Sequence, residues 1–544
     1  SPTRSPSGPS LASRDLQPAS ADTQYLTLSL SPDRRVVMEN PLFEERYGNI
    51  LWKRSKAMTD TDKTEANCSP EAESLSTRQL SGLGGLAKLL ARETELFKRR
   101  TTNSARLSEQ SKSDGLPNGV PMPWMTEWHT PYAMYVASGS GATIIDVDGN
   151  EYQDFCLGDT GTMFGHSPPA TSQAVIEQIR EGITTMLPTK DAGVVARELA
   201  RRFGLTHWQF AISATDANHF VVRICRVLTG RPKVLIFDQC YHGSLDETLG
   251  HIENGQIARR ASYDTNPAVS PSRITRIVEF NDVESLEREL AHGDVACVLA
   301  EPVMTNCGMV LPEPGFHERL RDLTRQHNVY LVIDETHTFS SGPGGYTAAH
   351  GLEPDFITLG KAIAGGVPAA VYGFSSEIAE KIANGFAGER DTAPMGIGGT
   401  LAGNALSIRA IRATLENVAT EEAFEHMIQG ANRLADGIED KIASIGLPWS
   451  VTRCGARVEL QFAPNPPRTG AEAKLQIDWD LLGFIHLYLA NRGVLLTPFH
   501  NMMLISPVTD VAAIDLLVSQ LTSCMEELVE LDDRRIKRES KRQI

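Results

Sequence analysis

What this 544-residue chain lacks sets its bounds. No uninterrupted apolar run approaches the ~20 residues needed to cross a bilayer. There is no basic excess: 52 Lys and Arg stand against 68 Asp and Glu, a formal net charge of −16. Nucleic acid and anionic membrane both attract basic patches, so neither is expected as the main partner. Cysteine is sparse. None of Cys68, Cys156, Cys225, Cys240, Cys297, Cys307, Cys454 and Cys524 belongs to a C-x-x-C pair, and no His/Cys cluster has zinc spacing. That pattern predicts no metal and reduced thiols in a cytoplasmic protein. No charged start leads into a long apolar stretch, so no secretory signal is expected. No repeat of fixed period runs along the chain.

What is present is a globular composition, 41% hydrophobic, at a length that suggests about three or four domains. Residues 1–115 read differently from the rest. SPTRSPSGPSLASRD is rich in Ser and Pro, and TDTDKTEANCSPEAESLS is polar. Such composition buries too little apolar surface to offset chain entropy, which predicts a low-complexity, largely disordered extension. Within it, Leu83–Arg99 has helical periodicity, and Met58 is a candidate native start. From Leu116 the texture turns globular. Thr143–Asp148 and Tyr152–Cys156 flank an Asp148-Gly149-Asn150 turn, which predicts a hairpin. Val234–Phe237, Val295–Ala300, Tyr330–Ile333, Phe356–Leu359 and Ala369–Phe374 read as short apolar strands. Asn218–Thr229, Val283–Ala291 and Gly315–Gln326 read as helices between them. This alternation predicts an α/β domain with a mostly parallel sheet buried on both faces. From about Thr420 a long helix, a strand at Arg457–Phe462 and two amphipathic helices predict a smaller α+β domain. The bounds drawn are 160–415 for the large domain and 416–535 for the small one, to which 116–159 contributes. A charged tail follows at 536–544, and Asp532–Ile544 are expected to fray.

Ligands in open α/β sheets bind at the carboxyl ends of the strands. Three polar features fall there. Asp334 ends VYLVID; a carboxylate buried at a strand end needs a cation or donors, or it simply caps the next segment. Lys361 ends FITLGK and precedes small residues, a setting that favours a neutral amine for Schiff-base chemistry. An isolated lysine of this kind is equally a surface residue. Ser213, Ala214 and Thr215 open a helix whose N–H groups suit a phosphate, or form an ordinary cap. Their combination, in order with Tyr241 and His242, supplies what pyridoxal 5'-phosphate (PLP) needs: an anion site, a ring stack, a partner for the pyridine nitrogen and an amine.

The segments IIDVDGNEYQDF, GHSPP, SATDAN, FDQCYHG, AEPVMTN, LVIDETHT, FITLGK and GGTLAGNALS follow one another in an order that resembles the class III aminotransferases of PLP fold type I. The resemblance is strongest to those like glutamate-1-semialdehyde aminomutase and covers about Leu116–Leu531. It implies an aspartate-aminotransferase-like large domain with a mostly parallel seven-stranded sheet, plus a smaller α+β domain. It implies that Lys361 forms the Schiff base and shuttles a proton, and that Asp334 holds the pyridine nitrogen protonated. It also implies that Tyr241 stacks on the ring beside His242, that Ser213, Ala214 and Thr215 bind the phosphate, and that His337 lies near the phenolic oxygen. Thr400 resembles a residue that reaches the phosphate of the partner subunit, so a homodimer is implied. Glu301 and Asn306 are expected to line the pocket.

The chain departs from that pattern in three places. Ala214 stands where relatives have a glycine, and Thr336-His337 follows the cofactor aspartate. LPNGVPMPWM and LLTPFHNMM replace the arginines of relatives that act on amino acids. They offer Met122, Trp124, Met125, Phe499 and His500, which suit a hydrophobic or aromatic substrate group or else pack a domain interface. Arg457 is then the candidate carboxylate clamp, unless it pairs with Glu459. The leading expectation is a transaminase that moves an amino group between an amine or amino acid and a keto acid. An aminomutase, racemase or lyase on the same residues is the alternative, and an inactive binding protein is a third reading.

Overall fold

Short runs of apolar residues build the central sheet. In the computed structural model, which describes residues 85–260, 269–385 and 396–540, its strands are β1 (His207–Ala211), β2 (Lys233–Phe237), β3 (Thr275–Val278), β4 (Val295–Ala300), β5 (Tyr330–Asp334), β6 (Phe356–Leu359) and β7 (Ala370–Phe374). Their spatial order is β1-β7-β6-β5-β4-β2-β3. Neighbours from β3 through β6 are parallel, and β7 runs antiparallel to both β6 and β1. β1 therefore points the same way as the parallel strands. Every residue of β4, β6 and β7 is buried, as strands covered on both faces require.

The mostly parallel α/β sheet is as expected, with all five expected strands in place. Two strands were not foreseen, β1 and β3, and both are edges of the sheet. An edge strand has one neighbour and keeps polar residues: His207 and Gln209 of β1 are exposed, and Arg276 interrupts β3. The helix Ala214–Thr229 follows β1. The Ser213 hydroxyl caps it by accepting from the Asp216 N–H, and it stops at Gly230, whose φ of 69° suits glycine.

Two smaller sheets lie outside this one. The expected hairpin is present as Thr143–Asp146 and Glu151–Asp154, flanked by Val136–Ser140. Val494–Leu495 joins it in parallel, so residues from both ends of the globular region share one sheet. Ser450–Cys454, Arg457–Gln461 and Met502–Leu504 form an antiparallel sheet against the helix Glu421–Ile445.

Two boundary expectations need correction. The extension drawn to residue 115 contains ordered structure from Leu86. Leu86–Arg100 is the expected helix, and it packs on Trp479–Ala490, an apolar helix with every residue from Leu481 buried. Glu93 is fully buried there and bonds Asn491, Arg492 and Arg92. A second helix, Thr102–Ser113, has almost no apolar face, so periodicity does not reveal it. The distant Asp148 carboxylate stabilises its start by accepting from the N–H groups of Asn103 and Ser104. At the other end, the last helix runs Val511–Ser540, past residue 532 where the chain was expected to fray. Residues 1–84 and 541–544, with the expectations placed on them, lie outside the described residues. Among the described residues, no helix is long and apolar enough to cross a membrane.

Candidate active site

The carboxyl ends of β1, β2, β5 and β6 bring the predicted polar residues together. Asp334 ends β5, and its carboxylate is buried. Its Oδ2 accepts from Asn218 Nδ2 at 2.8 Å and from His242 Nδ1 at 3.0 Å, and its Oδ1 accepts from the Thr336 N–H at 3.1 Å. Burial alone raises a carboxylate's pKa. Here the hydrogen bond and charge of His242, with Thr336 and Asn218, outweigh it and hold Asp334 below its usual range. Burial pushes His242 down, but Cys240 and Asp334 raise it well above an ordinary imidazole. Oδ1 keeps lone-pair capacity for one more N–H donor.

Asn218 fixes this arrangement. It is fully buried on the helix Ala214–Thr229, donates to Asp334 and to the His242 carbonyl, and accepts from Thr358 on β6. Two glycines set the close approaches. At Gly243, with φ of 96°, a Cβ would stand 2.2 Å from the Thr215 hydroxyl. At Gly360 a Cβ would meet that of Ala214 at 2.9 Å. Ser213, Ala214 and Thr215 thus sit against both the Tyr241-His242-Gly243 turn and the lysine loop. The Thr215 hydroxyl also accepts from the Ser244 N–H.

Lys361 follows β6 with φ of 47°, a left-handed conformation that costs a non-glycine residue on the order of 1 kcal/mol or more. Its Nζ donates to Asp159 Oδ2 and to His337 Nε2, each at 2.7 Å. Burial, then the charges of Lys361 and Arg457, push His337 well below the usual histidine range, so the ring is neutral. A neutral ring that accepts at Nε2 carries its proton on Nδ1, which donates to the Thr160 hydroxyl at 2.9 Å.

Asp159 and Thr160 were not anticipated. They lie on a loop after the hairpin where Leu157, Asp159 and Thr160 have φ of 48°, 51° and 77°. Strain of this kind persists only where the surroundings over-determine it. The legible signal was Gly158-Asp159-Thr160-Gly161, a cluster of turn-forming residues directly after a strand.

The other predicted residues lie around this set without joining its central hydrogen bonds. Arg457 is fully buried one layer behind: its Nε donates to the His337 carbonyl and Ser340 Oγ, and its Nη2 donates to Thr160 Oγ1. It braces the loop that holds Lys361. Glu459 pairs with His500 instead, Nδ1 to Oε2 at 2.8 Å, and both are buried. Glu301 accepts from Thr305 and Asn306 at the end of β4 and closes its own turn. The Tyr241 ring lies 5.1 Å from Trp124, which lies 5.1 Å from Phe499. Thr400 is exposed.

Residues 124–525 match the family model of class III aminotransferases. The chain belongs to that family. It is 33% identical over 391 residues to a glutamate-1-semialdehyde 2,1-aminomutase of Methanothermobacter thermautotrophicus, covering 71% of this chain and 90% of that one. A solved glutamate-1-semialdehyde-aminomutase from Pseudomonas aeruginosa PAO1 is 48% identical, with a TM-score of 0.80 over 82% of this chain and all of that one. A β-phenylalanine aminotransferase from Variovorax paradoxus is 25% identical, with a TM-score of 0.72 over 80% of this chain and 97% of that one. The cofactor of this class III enzyme is PLP, and the donor set fits it. A charged, buried carboxylate with spare acceptor capacity, a lysine amine and a helix start stand around two glycine-permitted close approaches.

Proposed function

We propose that this chain is a PLP-dependent aminomutase that moves an amino group between carbons of one substrate, with Lys361 as the amine that holds the cofactor. The observation that carries the reading is the Lys361 amine gathered with the buried Asp334–His242–Asn218 set at the carboxyl ends of the central strands. The aminomutase names of its relatives favour isomerisation over transfer between two molecules.

Bound PLP withdraws electrons from the substrate carbon that carries the amino group. Asp334, kept charged by His242, holds the proton on the pyridine nitrogen; a charge-assisted bond of this kind contributes about 1.5–3 kcal/mol. Once the substrate amine has displaced it, Lys361 Nζ would be the base that takes a proton from the substrate carbon and the acid that returns it. His337, neutral, accepts from that Nζ, and Asp159 anchors it from the other side, so the amine keeps one orientation. Arg457 and Thr160 fix the His337 ring. Ser213, Ala214 and Thr215 bind the phosphate through N–H groups and a hydroxyl, and Tyr241 covers the ring.

A homodimer in the cytoplasm completes the proposal. Ile176, Ile179, Ile183, Met186, Leu187 and Leu401 are exposed apolar side chains. The last of them adjoins Thr400, and the Leu406 N–H reaches the Ile183 carbonyl. Burying these residues against a second copy would deliver Thr400 to the partner's cofactor.

Transamination is the second reading. Its support is the likeness to the Variovorax paradoxus aminotransferase together with the absence of an arginine from LPNGVPMPWM and LLTPFHNMM. Product analysis with and without a keto acid separates the two. Isomerised substrate formed without any keto acid is the expected result. Turnover that requires 2-oxoglutarate or pyruvate overturns the aminomutase reading in favour of the second.

A further inference from the structure

Trp124 joins the cofactor edge to a second space. Its ring touches Tyr241 on one side and Phe499 on the other. Beyond them opens a cavity of about 600 Å³, walled by Met122, Met125, Trp128 and Tyr135 among others. That volume lies within the range of small-molecule sites. Asp159 is part of its wall, and the Asp159 carboxylate accepts from Lys361 Nζ at 2.7 Å. The cavity thus shares a residue with the set that holds the lysine amine.

The charges around this space have one sign. Asp159 and Asp146 are the charged side chains in its wall, and no lysine, arginine or histidine lines it among the described residues. Asp146 is occupied as a brace: it accepts from the N–H groups of Asp148 and Asn150, the Asn150 amide and the Tyr152 hydroxyl. Arg457 does not compensate, because its donors are engaged behind His337 and Thr160. A carboxylate placed in this space would lose water and face Asp159, and the nearest cation, Lys361, is already paired with that aspartate. An apolar tail would gain from each methylene buried.

We propose that this cavity takes the apolar tail of an amine substrate, while the Asp159 carboxylate accepts a hydrogen bond from the substrate's ammonium group as it now does from Lys361. The substrate class is a primary amine with an alkyl or aryl tail and no acidic group at its far end; to be isomerised it also carries a carbonyl beside the amine-bearing carbon, and an amine without one reports the first half-reaction only. Glutamate-1-semialdehyde, which carries such an acidic group, lies outside this class. The proposal rests on the reading that Lys361 handles the amino group.

The test uses the PLP-loaded full chain and three probes: heptylamine, 6-aminohexanoate and glutamate-1-semialdehyde. Single-turnover change in the absorbance of the bound cofactor gives an apparent kcat/KM for each. A second, non-catalytic readout is the Kd of heptylamine and 6-aminohexanoate by calorimetry on protein reduced with borohydride. Heptylamine is expected to exceed both acidic probes by about tenfold or more, and to bind the reduced protein more tightly by a similar factor. Phe499→Arg should narrow both gaps by favouring 6-aminohexanoate, and Phe499→Leu should preserve them. Equal or better reaction of either acidic probe overturns the proposal, and so does silence of all three while borohydride still fixes the cofactor to Lys361. Failure of borohydride to fix the cofactor there overturns the underlying reading as well.

Discussion

The cofactor edge and the cavity behind Trp124 are neighbours built on opposite rules. At the edge, nearly every polar atom has an assigned partner: Asp334 with His242, Asn218 and Thr336, and Lys361 with Asp159 and His337. In the cavity, the wall is mostly carbon and its charges are carboxylates. The contrast separates two tasks. Chemistry on a bound ring requires charge held in place, and a buried charge is tolerable only when hydrogen-bonded. Holding a substrate tail requires only shape and freedom from unmatched charge. A substitution at the edge should therefore change rate for every substrate, whereas one in the cavity should change which substrate is used.

The strongest test of that division is Lys361→Ala, which should abolish turnover with every donor and leave the fold intact by circular dichroism. Asp334→Asn comes next. Loss of the charge-assisted bond should lower kcat/KM by about 10- to 150-fold, evenly across donors, in steady-state assays. A loss confined to one donor class would show that Asp334 belongs to recognition instead. Arg457→Ala probes the boundary between the regions. It removes the brace on His337, Ser340 and Thr160, so chemical denaturation should show about 1–3 kcal/mol of lost stability. KM should not rise selectively for acidic donors. A selective rise would restore Arg457 as a carboxylate clamp and blur the comparison.

A smaller effect concerns pH. His337 is neutral in the folded protein because burial and the nearby cations depress its pKa. Unfolded, it binds a proton near the ordinary value of about 6.5. The unfolded state thus binds more protons below that value, and stability falls as pH drops, by about 1.4 kcal/mol per unit, until the folded value is reached. His337→Asn should remove this part of the slope between pH 6.5 and the lowered value, measured by urea midpoints. His486, pushed down to about 3 by burial, contributes a similar slope that the variant leaves in place.

The same contrast explains what was legible in the sequence. Inner strands such as VACVLA and FITL are continuous apolar runs, so the core of the sheet could be read directly. The edge strands His207–Ala211 and Thr275–Val278 carry polar residues because one side has no neighbour, and they escaped. Asp334, Lys361 and the Ser213–Thr215 turn stood out as candidates because each ends or closely follows a strand. Asp159 and Thr160 did not, because a loop strained by packing leaves no periodic trace. Arg457 was read as a carboxylate clamp or a partner of Glu459, but its partners are backbone and hydroxyl groups brought together only by the fold. The polar helix Thr102–Ser113 was missed for a related reason, since the distant carboxylate of Asp148 supports it.

The account stands on Lys361 as the covalent anchor of PLP. Borohydride reduction of the yellow holoenzyme, followed by peptide mass mapping, tests this most directly. The cofactor's mass should appear on the peptide containing Gly360-Lys361-Ala362 and on no other. A label on a different lysine, or a reduced protein that releases its cofactor on unfolding, would contradict it.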